Sequence, residues 1–132
     1  LQVHCVQDGR FVRTVYQKKK GKNLGAGSVV FDHAGNLVFS DNDRCIRVLN
    51  YRTGERILKM TVPDSTMGDL KKPIGGFNVP GGLAIDKSGN IFMVHLQSNR
   101  LLVYRDGSLI HNSSIPIPST SVNVQNFQKI WK

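Results

Sequence analysis

Hydrophobic positions along this chain fall in short blocks separated by turn residues at near-regular spacing. Ser28–Phe31 is followed by Leu37–Phe39, Ile46–Leu49 and Arg56–Met60. A second set follows the same order at Leu83–Ile85, Ile91–Val94, Leu101–Tyr104 and Ser108–His111. In each set the second block is unbroken apolar sequence bounded by turn residues, the pattern of a strand buried on both faces. The third block carries more polar residues and the fourth carries most. Between third and fourth stand Thr53-Gly54 and Asp106-Gly107, where glycine supplies the positive φ that a tight hairpin turn demands. Each set is therefore predicted to be four short antiparallel strands, apolar first and polar last.

The two sets are copies of one phrase. "FDHAGNLVFSDND" and "IDKSGNIFMVHLQ" align so that Asp32, Gly35 and Asn36 recur as Asp86, Gly89 and Asn90 at an offset of 54. Downstream, Ile46-Arg47-Val48-Leu49 recurs as Leu101-Leu102-Val103-Tyr104 at an offset of 55. A partial third copy opens the chain, because "VHCVQDGRFVRTV" from Val3 matches "LLVYRDGSLIHNS" from Leu101. A sheet with two apolar faces is stable only when neighbours cover both, and stacking repeats of one unit is the economical way to supply them.

"GSVVFDHAGNLVFSDNDRCIRVLN" and "GGLAIDKSGNIFMVHLQSNRLLVY" resemble NHL repeats, the blades of a family of β-propellers. The resemblance covers residues 27–54 and 81–107 well and 3–15 in part; other propeller families with blades of similar length share its coarser features. It implies an all-β fold of four-stranded antiparallel blades, and two and a half of them make an incomplete propeller, since closure takes roughly 4–8. Residues 1–26 are expected to hold the outer strands of a partial blade and a basic loop. The full blades are placed at 27–60 and 81–112, an inserted loop at 61–80 and a tail at 113–132. The remaining blades are expected from a longer chain or, failing that, from other chains. Two departures stand out: His95 occupies a position where a typical unit carries Asp, and the inserted loop lengthens the repeat.

The chain has 132 residues and a formal charge of +9. Such an excess favours polyanionic partners and says nothing about fold. Propeller topology sorts the loops onto two faces, and the charge divides unequally between them. One face is expected to gather Lys18, Lys19, Lys20, Lys22, Arg44, Lys71, Lys72 and Arg100 against four acidic residues, Asp41, Asp43, Asp64 and Asp69. The other holds four basic residues against five acidic ones. His95 and Asn99 on the basic face are candidates to hydrogen-bond to or stack on unpaired bases, the usual route to selective RNA recognition. Phosphate backbones favour such a patch through attraction and counterion release, although a run such as "KKKGK" is also the ordinary composition of a solvated loop. The resemblance points the same way: NHL domains of tripartite-motif proteins bind RNA on this face, as the recognition end of a ubiquitin ligase. The expected partner is thus single-stranded RNA or an acidic protein surface, with no catalytic role expected for this part of the chain; the alternatives are a protein-only interaction scaffold and a propeller lyase or hydrolase with a channel metal.

Enzyme chemistry finds little support in the residues. Asp32 and Asp86 precede their turns by the same spacing, which assigns them to capping turn backbone. A channel metal, as in lyases or hydrolases built on related propellers, needs several His residues from different blades, and His4, His33 and His111 fall on other strands and faces. Phosphate-cradling and nucleophile-elbow motifs are missing, so neither cofactor nor metal is expected. Cys5 and Cys45 read as buried thiols of a reducing compartment rather than a disulfide framework. The apolar runs are far too short to span a bilayer. The N-terminus reads as mid-domain sequence rather than a signal peptide, and the expected location is cytoplasmic.

Overall fold

The computed structural model describes residues 1–17, 27–41, 45–61, 81–95 and 99–115. Every regular element among them is a strand. A two-stranded sheet pairs β1 (Gln2–His4) with β2 (Phe11–Thr14). A first four-stranded sheet has the order β3 (Val29–Phe31), β4 (Leu37–Asp41), β5 (Cys45–Leu49) and β6 (Arg56–Thr61). The second runs β7 (Leu83–Ile85), β8 (Ile91–His95), β9 (Arg100–Arg105) and β10 (Ser108–Ser114). All pairings are antiparallel. The two sets of hydrophobic blocks are thus two meander sheets, and the partial copy is a hairpin equivalent to the last two strands of either. No helix among the described residues is long and apolar enough to cross a membrane.

Side-chain alternation explains why the blocks of β4 and β5 are unbroken. Leu37, Phe39 and Asp41 point to one face with their partners Leu49, Arg47 and Cys45, while Val38 and Ser40 point to the other with Val48 and Ile46. The first face packs on the N-terminal hairpin, where Leu37, Phe39 and Leu49 join Val15 and Tyr16, flanked by Leu1 and Val3. The second face packs on the second sheet, where Val38, Ile46, Val48 and Met60 meet Leu83, Met93, Leu102 and Tyr104. Residues on both faces are buried, so every position in the strand must be apolar or internally paired. Burying one such Leu, Ile or Phe side chain contributes roughly 1.5–3 kcal/mol.

The stack has a direction. Met93, Leu102 and Tyr104 of the second sheet occupy the repeat positions of Phe39, Arg47 and Leu49 in the first. The second sheet therefore covers its neighbour with the same face that the first presents to the hairpin. Front meets back at both junctions.

Turns fix the frame. Asp32 Oδ1 accepts from Ala34 N at 3.0 Å and Asn36 N at 2.7 Å, and Oδ2 accepts from Asn36 Nδ2 at 2.9 Å. Asp86 repeats the arrangement with Ser88 N, Asn90 N and Asn90 Nδ2 at 2.9, 2.9 and 2.6 Å. Both carboxylates cap their turns, as their shared spacing predicts. At the next turn Gly54 has φ +74°, and a Cβ there would meet the Val15 carbonyl oxygen at 3.1 Å. Glycine is required both for the left-handed backbone and for close approach of the hairpin.

Candidate functional site

The antiparallel registers sort the strand ends onto two rims. One rim, here called upper, carries the ends Asp41, Cys45 and Thr61 of the first sheet, and His95, Arg100 and Ser114 of the second. The lower rim carries the turns at Asp32–Asn36, Asn50–Glu55 and Asp86–Asn90. Cross-sheet hydrogen bonds align the two sheets at both rims. Leu83 N donates to Ser28 Oγ at 3.2 Å near the upper rim, and His33 Nε2 lies 2.7 Å from the Asp86 carbonyl oxygen at the lower one.

Of the ten residues expected to contact a partner, Lys18, Lys19, Lys20, Lys22, Arg44, Lys71 and Lys72 lie outside the described residues. So do most of the inserted loop and nearly all of the tail. The remaining three sit together at the upper rim of the second sheet. Asn99 is exposed with φ 50°, and its carbonyl accepts from Ile115 N at 2.6 Å. Arg100 donates from Nε to Asn112 Oδ1 at 2.6 Å and from a terminal nitrogen to Ser114 Oγ at 3.1 Å. Its guanidinium is thus held along β10 rather than extended from a loop.

His95 is a correction to the expectation. It does not stand in the polar loop but closes β8, directly opposite Arg100, and is 1% exposed. Two residues after Met93, it must share that residue's face, which looks into the inter-sheet core. The ring is therefore buried at the strand end rather than presented from a loop. Its repeat counterpart Asp41 is likewise the last residue of β4 and fully buried. Asp41 Oδ2 accepts from Arg47 Nε at 2.6 Å. The negative charge assigned to the rim by sequence is therefore spent inside, on a strand arginine.

Arg47 was not among the expected site residues. It is 8% exposed, and its guanidinium carbon lies 5.6 Å from the centroid of the Tyr16 ring. Burial works against its charge, but the hydrogen bond to Asp41 and favourable interactions with Cys45, Tyr16 and Asp41 outweigh it and raise the pKa above the ordinary arginine value. Arg56, on the neighbouring strand, lies over the same ring at 5.9 Å. The one sequence signal of this cluster is that Arg47 stands where the sister repeat has Leu102. Among the described residues no three His, Cys, Asp or Glu side chains gather into a group that could hold a metal.

On the lower rim, Arg13 donates to the carbonyls of Arg52 and Tyr51 and lies 4.7 Å over the Tyr51 ring. Tyr51 meets Phe31 edge to face with centroids 5.3 Å apart. These contacts tie the hairpin to the first sheet. Phe31 and Val29 remain 56% and 43% exposed, whereas Leu83, the counterpart of Val29, is 9% exposed beneath the first sheet. The N-terminal hairpin packs on β4 and β5 of the first sheet but leaves Val29 and Phe31 of β3 open.

No protein-family profile matches the chain, and no curated protein matches it in sequence. Among solved structures it is similar to a protein of unknown function from Bacteroides caccae, with 13% identity, a TM-score of 0.39 and 83% of this chain covered. The aligned region spans 52% of that protein, so the chain covers about half of the structure it matches.

Proposed function

We propose that this chain is part of an NHL-type β-propeller whose upper rim binds single-stranded RNA. The observation that carries the reading is the front-to-back stack of two repeat sheets with one strand order and one capped turn. Blades of a propeller stack in that way, each covering the face its neighbour leaves open. The open corner at Val29 and Phe31 is what a half-built first blade leaves behind when its two inner strands come from elsewhere. The sequence supplies the electrostatic half of the argument, since the basic loops all connect to strand ends at the upper rim. Pairing Asp41 with Arg47 removes one of the acidic residues that would offset them.

The test is the salt dependence of binding to a short unstructured RNA. Affinity is expected to fall by orders of magnitude between about 50 and 200 mM salt if six or more phosphates are neutralised. Charge reversal at Lys18–Lys20 and Lys71–Lys72 is expected to abolish binding. Salt-independent binding, or binding untouched by reversal, overturns the RNA reading. Loss of RNA binding with retained capture of an acidic peptide would assign the rim to a protein partner instead.

A further inference from the structure

The cluster of Arg47, Arg56 and Lys59 is one that neither the repeat nor the fold requires. β5 and β6 set Arg47 opposite Lys59 and Leu49 opposite Arg56, so all four share the face that looks toward Tyr16. In the second sheet the same register sets Leu102 opposite Asn112 and Tyr104 opposite Leu109. Leu102 and Tyr104 are buried and Leu109 packs beside them. Scaffold alone therefore calls for apolar or neutral side chains at these rungs, and the first sheet carries three cations instead. Two like charges directly opposite on one sheet face repel and destabilise it.

These residues enclose a cleft of about 160 Å³ with Leu49, Ile57 and Leu58 completing its walls. Arg47 forms its buried end, anchored by Asp41, and Arg56 and Lys59 form its exposed lip. Asp41 pairs with Arg47 at the buried end. Arg56 and Lys59 add two exposed positive charges at the lip. We propose that this cleft binds the dianionic head of a phosphate monoester. Lys59 supplies a point charge and Arg56 a planar fork suited to two phosphate oxygens. Ile57, 52% exposed, offers the apolar surface for the carbon side of the ester. The volume suits a single phosphoryl group, well below the several hundred Å³ of a drug-sized site. The cleft lies on the flank of the first sheet, so the inference stands independently of RNA binding at the upper rim.

Titration of the intact chain at constant ionic strength, followed by amide chemical shifts, decides the matter. The probes are inorganic phosphate, glycerol phosphate as monoester, dimethyl phosphate as diester and sodium chloride. Saturable shifts at Ile57–Lys59 are expected with the first two and not with the others. The Arg56→Ala/Lys59→Ala double variant is expected to bind at least about tenfold more weakly, the loss of one charge-assisted hydrogen bond or more. Both residues are exposed, and Lys59→Arg, which keeps the charge, is expected to retain binding where Lys59→Gln loses it. Equal shifts with chloride, equal affinity for the diester, or a double variant that titrates like the parent protein overturns the proposal.

Discussion

Asp86 shows how much of this fold rests on single carboxylates. Hydrogen bonds from the Asn90 side chain and backbone, and from Ser88, hold its pKa below the ordinary value of 3.8. A carboxylate with a lowered folded pKa contributes stability that is complete above its unfolded pKa and lost as pH falls through the folded one. Asp86→Ala is therefore expected to lower the thermal midpoint at neutral pH, with the gap to the parent protein narrowing as pH drops below about 3.8. Melting curves at several pH values between neutral and acid check this; a gap independent of pH would contradict it. Tyr104 offers the opposite case. Burial pushes its pKa up to about 12, and its hydroxyl has no hydrogen-bond partner among the described residues. An unsatisfied buried hydroxyl costs about 1–3 kcal/mol, and the sister repeat places Leu49 here. Tyr104→Phe is expected to be neutral or to stabilise by up to about 1 kcal/mol in urea denaturation. A clear destabilisation would show that the hydroxyl has a partner.

At the scale of elements, turns and strand ends divide the work. Gly54 joins the β5–β6 turn to the hairpin, and Gly54→Ala meets both a left-handed backbone and the Val15 carbonyl. The expected cost is about 1–3 kcal/mol by chemical denaturation, with faster amide exchange in β1 and β2 as the hairpin loosens. The eight strands of the two repeat units were legible because continuous apolar blocks and Gly-bearing turns bracket them closely. β4 and β8 each run past their apolar block, to Asp41 and His95. Polarity alone marks those positions as loop, yet both side chains fall on inward faces once the strand continues. Burial of a polar residue at a strand end depends on what packs across from it, which one sequence does not display. Arg47 was missed for the related reason that a lone cation in an apolar strand reads as surface until its partner Asp41 is placed six residues away.

For the whole molecule, the stack and the charge follow different rules. Stacking order was legible in outline, because repeated units with two apolar faces must lie against one another. Which face meets which was not legible, since alternation defines two faces without naming their neighbours. The sorting of loops onto two rims follows from antiparallel pairing and needs no side-chain detail. Eight of the eighteen basic residues are assigned to the upper connections, so the proposed salt-dependent affinity would belong to the set rather than to any single lysine. The cationic cleft is different in kind, being built from three adjacent rungs of one sheet.

Front-to-back packing has a consequence for symmetry. A junction between unlike faces cannot be self-complementary, so an open series always ends in one face of each kind. Such a series is heterologous: it closes into a ring when the rotation per sheet divides a full turn, and otherwise extends as a fibre. In the proposed propeller, a substitution that alters the tilt between sheets would act on closure itself, far from the proposed binding rim.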